Sequence, residues 1–383
     1  MSGRALLLRG AQVVSASGVL APGWVRVRDG VITAVGGDDP TGPLPDEEVP
    51  SPAAVIVPGL VDLHCHGGGG ASFSDLDPSR VRAALDYHRQ QGTTTQWASL
   101  VTAPLAELVR SIELLRSFVD AGTLDGIHLE GPFISPLRRG AQNPASLLAP
   151  DRRALASLLD AGGGAVRMVT IAPELPGALE LIADTVAAGA LAAIGHSDAT
   201  YAQTCAAVDA GARVATHLFN GMRPLHHREP GPILALCESS EVVCELIPDG
   251  HHLHPAIVAA TVRRLGTARV HFVTDAMAAA GMPEGRYLLG GLDVAVRAGR
   301  ASLVVGGSLA GSTISAAAGL RWSVREAGIA LADATAMAAS TPSRLAGHRE
   351  RGRIERGRRA DLLLLDEELR PRRVLACGDW AAR

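Results

Sequence analysis

The triplet His64-Cys65-His66 closes an apolar run and is followed by Gly67–Gly70. Alternate residues of a strand point the same way, so both imidazoles can face one side and ligate a divalent ion while Cys65 points away. Such a pair on its own is a modest signal. Three further ligand types end other apolar runs: Glu130 in His128-Leu129-Glu130-Gly131-Pro132, His196 in Gly195-His196-Ser197 and His217 in Thr216-His217-Leu218. A carboxylate among imidazoles suits zinc or iron. Asp275, in Val273-Thr274-Asp275-Ala276, stands where a general base could take a proton from a metal-activated water and pass it to a leaving nitrogen. Asp at a strand-to-helix junction also serves as a helix N-cap, and it is the ligand cluster that favours the catalytic role.

These residues need elements that bring them to one place. Apolar runs of strand length alternate with helical stretches from Val55 onward: Val55–Leu63, Thr93–Leu100, Gly126–Leu129, Val166–Ile171, Leu191–Ile194, Val214–Leu218, Val242–Ile247 and Val270–Val273. That alternation is the mark of βαβ units, and eight parallel strands point to an α/β protein with a (β/α)8 TIM barrel, whose chemistry sits at the C-terminal strand ends. The ligand types fall there. Short apolar runs at Arg4–Leu8, Trp24–Val27 and Val31–Val35 read as a small β unit ending in a Pro-, Asp- and Glu-rich loop. More helix-like sequence follows the eighth run, and then come Leu362–Leu365 and Arg373–Cys377, which can pair with the N-terminal strands. The expected division is a small β-sandwich from both termini, residues 1–54 and 349–383, and a barrel over 55–348.

Composition narrows the function. A chain of 383 residues with 47% hydrophobic content can bury a large core, and a net charge of −3 gives no basic face for nucleic acid. A small-molecule substrate fits better. The sequence holds no lysine, so all 36 basic residues are arginine, and a lysine carbamate cannot bridge two metals. Five cysteines without a C-x-x-C pair argue against a disulfide framework and for a reducing cytoplasm. There is no basic and apolar leader, and no apolar run of about 18 residues, so neither export nor a membrane partner is expected.

Five motifs taken together resemble the N-acetylglucosamine-6-phosphate deacetylases of the amidohydrolase superfamily. They are His128-Leu129-Glu130-Gly131-Pro132-Phe133, Gly195-His196-Ser197-Asp198-Ala199-Thr200-Tyr201, Thr216-His217-Leu218-Phe219-Asn220-Gly221-Met222, Pro248-Asp249-Gly250-His251-His252 and Leu309-Ala310-Gly311-Ser312. They run in order over almost the whole barrel. The resemblance implies that Glu130, His196 and His217 hold the principal metal, that Asp275 is the acid and base, and that His64 and His66 bind a second metal or support the first. It implies one or two divalent ions per subunit, zinc foremost, with iron or another divalent ion as the alternative.

For a phosphorylated amino sugar, the resemblance implies contacts from Ala141, Gln142, Asn220, Gly221, Arg228, His252, Leu309, Ala310 and Gly311. The planar fork of Arg228 suits a phosphate. Gln142 replaces the His that many members of that family carry, and Gly221 replaces a common Ala; both bear on sugar contacts. The implied reaction releases acetate and glucosamine 6-phosphate, in amino-sugar catabolism and cell-wall sugar recycling, from a homodimer in which Arg228 can reach a neighbouring site. His226, His227, His251 and His254 are expected to be loop or hydrogen-bonding residues, and His88, His271 and His348 packing or surface residues. The rival readings are another amidohydrolase activity, a cyclic amidase or a deaminase, and a non-catalytic sugar-phosphate binding protein.

Overall fold

Gly59 breaks the apolar run Val55–Leu63 into two strands that serve different sheets. In the computed structural model, which describes residues 4–40 and 45–382, the strand Glu47–Pro58 pairs with Ala5–Ser15 and Leu362–Leu365, whereas Leu60–Asp62 opens the barrel. A Cβ at Gly59 would overlap Thr94, so glycine is what lets the chain pass this close to the neighbouring barrel strand. The expected domain boundary at 54/55 therefore falls inside a strand. Its alternation serves two cores: Ile56 packs with Leu6, Leu362 and Leu364, while Val55 and Val57 join the core of the barrel.

Both termini together build one eight-stranded mixed sheet. Its edge strand Val31–Gly36 returns to the segment before Leu362. Val31 bridges Arg359, and the Ile32 N–H donates to the Arg358 carbonyl at 2.8 Å, so the sheet curls around its own core. Of the acidic, Pro-rich stretch expected as a loop, residues 41–44 lie outside the described residues, and from Glu47 the chain is strand.

The eight barrel strands are Leu60–Asp62, Thr93–Val101, Gly126–Glu130, Val166–Ile171, Leu191–Ile194, Val214–Ala215, Val243–Leu246 and Val270–Phe272, joined in that order by parallel ladders. The last meets the first through side chains and loop backbone. The Thr274 N–H and hydroxyl donate to the Asp62 carboxylate at 3.2 and 2.6 Å, and the Asp275 N–H donates to the His64 carbonyl at 2.8 Å. Between strands, helices bury an apolar stripe. Arg152–Gly162 starts at Asp151, whose carboxylate accepts the Arg153 N–H, buries Ala154, Leu155 and Leu158, and stops at Gly163 in the left-handed region.

One expectation is corrected here. The sequence after the eighth strand is not all helix: it first forms a three-stranded antiparallel sheet, Gly285–Leu289, Leu292–Arg297 and Arg300–Leu303. Gly290-Gly291 and Ala298-Gly299 make its tight turns, with positive φ at all four residues, and Leu289, Val294, Val296 and Ala301 bury its inner face against Met277 and Ala310. The period-2 pattern was present in the sequence and marks the sheet.

The barrel interior is layered. At the bottom Val61, Leu63, Trp97, Met168, Ala193 and Val214 fill it with apolar atoms. Above them runs a polar belt, in which Ser99 and His128 hydrogen-bond at 3.0 Å, His128 and Thr170 at 2.8 Å, and Thr170 and Thr216 at 2.8 Å. The ligand types stand above the belt. Met168, fully buried in the bottom layer, has little room to be replaced; Met168→Ala is expected to cost about 2–5 kcal/mol in urea unfolding. A cost below about 1 kcal/mol would show that the layer collapses freely over the cavity.

Candidate metal centre and active site

Two groups of ligand atoms converge at the mouth. In the first, Glu130 Oε1 lies 2.9 Å from Nε2 of both His196 and His217, and those two nitrogens are 3.1 Å apart. In the second, His64 and His66 bring their Nε2 atoms to 3.2 Å, and Asp275 Oδ1 is 3.5 and 3.1 Å from them. Glu130 Oε2 stands between the groups, 3.3 Å from His66 Nε2. Ligands held at about 2.0–2.1 Å from one tetrahedral ion are about 3.3 Å from each other, so each group has the spacing of a ligand set.

The unused imidazole nitrogens fix the tautomers. Nδ1 of His64 bonds to Glu245 Oε2 at 2.9 Å, that of His66 to the Ser99 carbonyl at 3.1 Å, and that of His196 to the Arg138 carbonyl at 2.9 Å. An Nδ1 that donates outward leaves a lone pair on Nε2 facing the cluster. Charge points the same way. Burial alone would strip the protons from His64 and His66, yet Glu245, Asp275 and Glu130 overcome it and push them to about 10 and about 9. Burial raises Asp275, and His64 and His66 outweigh that and hold it at about 2. Around His64 and His66 the carboxylates are balanced by imidazoles that hold protons, and a divalent cation can take the place of those protons.

Strand ends carry this chemistry at a conformational cost. His196, His217 and Asp275 have φ of 47°, 30° and 48°, and Phe219 has 80°. Each is a non-glycine residue in the left-handed region, which costs on the order of 1–3 kcal/mol, and at His196, His217 and Asp275 the sharp turn leaves the side chain at the cavity. Asp275 is not a helix cap: the next helix, Ala316–Arg325, begins at Ser315.

A cavity of about 310 Å³ opens onto both groups. His66, Glu130, His196, His217 and Asp275 form its floor, and of the residues expected at the substrate, Ala141, Gln142, Asn220, Gly221, His252, Leu309 and Gly311 line it. Ala310 is fully buried against the three-stranded sheet instead. Arg228 is not part of the wall: it is exposed, with its guanidinium 2.9 Å from His227 Nε2. Both ends of the Gln142 amide are engaged. Its oxygen accepts the Thr102 N–H at 2.7 Å and its nitrogen donates to Glu130 Oε2 at 2.6 Å.

The sequence pattern of the amidohydrolase family matches residues 55–378. The chain belongs to the amidohydrolase family. It is 34% identical to N-acetylgalactosamine-6-phosphate deacetylase of Escherichia coli, covering 98% of this chain and 99% of the relative. It is 33% identical to N-acetylglucosamine-6-phosphate deacetylase of Bacillus subtilis, covering 95% and 93%. Against the structure of an aspartate-to-alanine mutant of N-acetyl-D-glucosamine-6-phosphate deacetylase from Mycobacterium smegmatis, in complex with N-acetyl-D-glucosamine-6-phosphate, the TM-score is 0.95 at 44% identity over 100% of both chains. The resemblance drawn from the motifs holds along the whole chain.

Several residues that support this amidohydrolase site escaped sequence reasoning. Leu289 and Ser308 line the cavity from or beside the three-stranded sheet, and no motif marked them. Asp62 ties the first strand to the last, and Asp198 pairs with both Arg138 and Arg223 at 2.8 and 2.7 Å, fixing the loop whose carbonyl holds His196. Glu245 is fully buried in the run Val242–Ile247. A carboxylate amid an apolar strand must be paired, and that was its available signal. Of the histidines expected to be ordinary, His254 caps the helix Pro255–Leu265, and His88 is buried beside Asp62 and Cys65, with Nε2 and Sγ 3.2 Å apart.

Removing the metal should loosen the fold, since an ion bound only by the native state stabilises it by about 4 kcal/mol at a thousand times Kd. Dialysis against a strong chelator is expected to lower the thermal unfolding temperature, and added divalent ion to restore it. An unfolding temperature indifferent to both would count against the cluster as a metal centre.

Proposed function

We propose that the protein hydrolyses N-acetylglucosamine 6-phosphate to glucosamine 6-phosphate and acetate, with Asp275 as the general base and acid. One observation carries this: Asp275 and the Glu130, His196, His217 group meet on the floor of a single cavity whose walls are the residues expected at an amino sugar. At about 310 Å³ the cavity is of small-molecule scale. The relatives support the substrate, since those described act on N-acetylated amino-sugar 6-phosphates.

Glu130, His196 and His217 would hold the principal ion, and His64, His66 and Asp275 a second. Two imidazoles and one glutamate are a set used by catalytic zinc, which makes zinc the proposed metal and iron the alternative. A divalent ion held there supplies Lewis acidity and makes water nucleophilic near neutral pH. Asp275, ionised, accepts the proton of the attacking water and then delivers it to the nitrogen that leaves as the amine. His252 has Nδ1 bonded to Asp249 Oδ2 at 2.7 Å, which leaves Nε2 to stabilise charge on the acetyl oxygen. The Gln142 amide would keep Glu130 aimed at an ion held there.

The phosphate needs a cation, and among the described residues no arginine lines the cavity of one chain. Exposed Arg228 supports a homodimer in which this side chain meets the phosphate in the neighbouring site. Five free cysteines support a reducing, cytoplasmic setting. Among the described residues no helix is long and apolar enough to cross a membrane.

Acetate release from N-acetylglucosamine 6-phosphate, from its unphosphorylated analogue and from the galactosamine epimer tests the reading, with metal content measured on the same preparation. Fast release from a phosphorylated sugar alone is expected, and no release from metal-loaded protein would sink it in favour of another amide or of sugar-phosphate binding. Asp275→Asn is expected to lower kcat by about 10²–10⁴-fold, the range of a lost acid-base group. Arg228→Ala should raise KM for the phosphorylated sugar by about 10-fold or more, the loss of a charge-assisted contact, with kcat nearly unchanged.

A further inference from the structure

Glu245 is a carboxylate near the mouth that lines no part of the cavity and belongs to neither converging ligand group. It is fully buried, on the strand Val243–Leu246, with its side chain inside the barrel. A single oxygen, Oε2, bonds to His64 Nδ1 at 2.9 Å and accepts the backbone N–H of His217 at 3.0 Å. His64 belongs to one ligand group and His217 to the other. The other oxygen, Oε1, has no hydrogen-bond partner and lies 3.9 Å from His271 Nε2.

A buried carboxylate with no arginine beside it is a poor way to stabilise a barrel, because an apolar residue of the same size would avoid its desolvation. What it does instead is act on two ligands at once. The bond to Nδ1 fixes the His64 tautomer and makes Nε2 a stronger electron-pair donor. The bond from the His217 N–H holds a backbone that sits at an unfavourable φ of 30°. His66 and His196 have only backbone carbonyls behind them, and His217 Nδ1 has no partner. His64 alone is backed by a charge.

We propose that Glu245 is a positioning residue for the metal centre, which sets the affinity of the ion held by His64 and couples that position to His217. The proposal rests on the reading of His64 as a metal ligand. It predicts an unequal pair of ion sites, in which removing the Glu245 charge empties the His64 position first.

The test uses purified full-length protein, titrated with zinc against a chromophoric chelator, with cobalt(II) absorption as a second readout of ligand geometry. Wild type is expected to bind two equivalents. In Glu245→Gln, which keeps the shape and both hydrogen bonds, the second equivalent should bind about 10–100-fold more weakly, the usual range for an outer partner of a metal ligand. The first equivalent should bind within about threefold of wild type, and kcat should fall while KM for the sugar phosphate stays unchanged. Glu245→Asp keeps the charge and should retain the second ion better than Glu245→Gln; the opposite order would make the effect one of packing and overturn the proposal. Two equivalents bound as in wild type by Glu245→Gln would overturn it as well. His64→Ala separates the premise from the inference: wild-type binding in that variant removes His64 as a ligand and Glu245's role with it, while leaving Glu130, His196 and His217 as a centre for the same reaction.

Discussion

Burying Glu130, Asp275, Glu245 and Asp62 at one end of a barrel removes four carboxylates from water, and each such transfer costs several kcal/mol unless it is answered. The rest of the structure is arranged around that demand. Thr274 and the backbone of His64 answer Asp62, the imidazoles of His64 and His66 face Asp275, and those of His196 and His217 face Glu130. Hydrogen bonds answer Asp62 only in part, and burial still pushes its carboxyl up to about 6. Around Glu130 and Asp275 only positive charge suffices, and that need for charge is what makes the mouth a cation site rather than a polar core.

The scaffold serves the same need. Side chains from the ends of five barrel strands converge on the site, and at His196, His217 and Asp275 the chain takes left-handed turns that an isolated segment would refuse. Such strain persists only where rigid elements hold both sides. The apolar bottom layer and the hydrogen-bonded belt of Ser99, His128, Thr170 and Thr216 provide that support from below, and the terminal sheet, sharing the strand Glu47–Pro58 with the barrel core, braces the first strand from outside.

Most of the barrel could be read in the sequence because strand-length apolar runs between helical stretches are a local pattern, and each of the eight runs overlaps a barrel strand. The ligand types were legible for the same reason, since a polar residue at the end of an apolar run is conspicuous. What resisted reading had a non-local cause. The run Val55–Leu63 looked like one strand because its break depends on Thr94 packing against Gly59. The sheet at Gly285–Leu303 is masked by the helix-like sequence that follows it, although paired glycines and period-2 alternation mark it.

The sequence by itself determined which chemistry was available: imidazoles and carboxylates at strand ends, an aspartate on the last strand, no lysine, and an order of motifs shared with the amidohydrolase relatives. Residue type and strand period are properties of short segments, so no partner was needed to read them. Only the tertiary structure decided what each group faces. His64 and Glu245 are 181 residues apart, and nothing local to either announces a 2.9 Å bond. It was likewise folding that turned the Gln142 amide toward Glu130 and left Arg228 outside the cavity of its own chain. Desolvation is the physical reason: a buried polar group must find its partner wherever the fold places one, however distant in sequence.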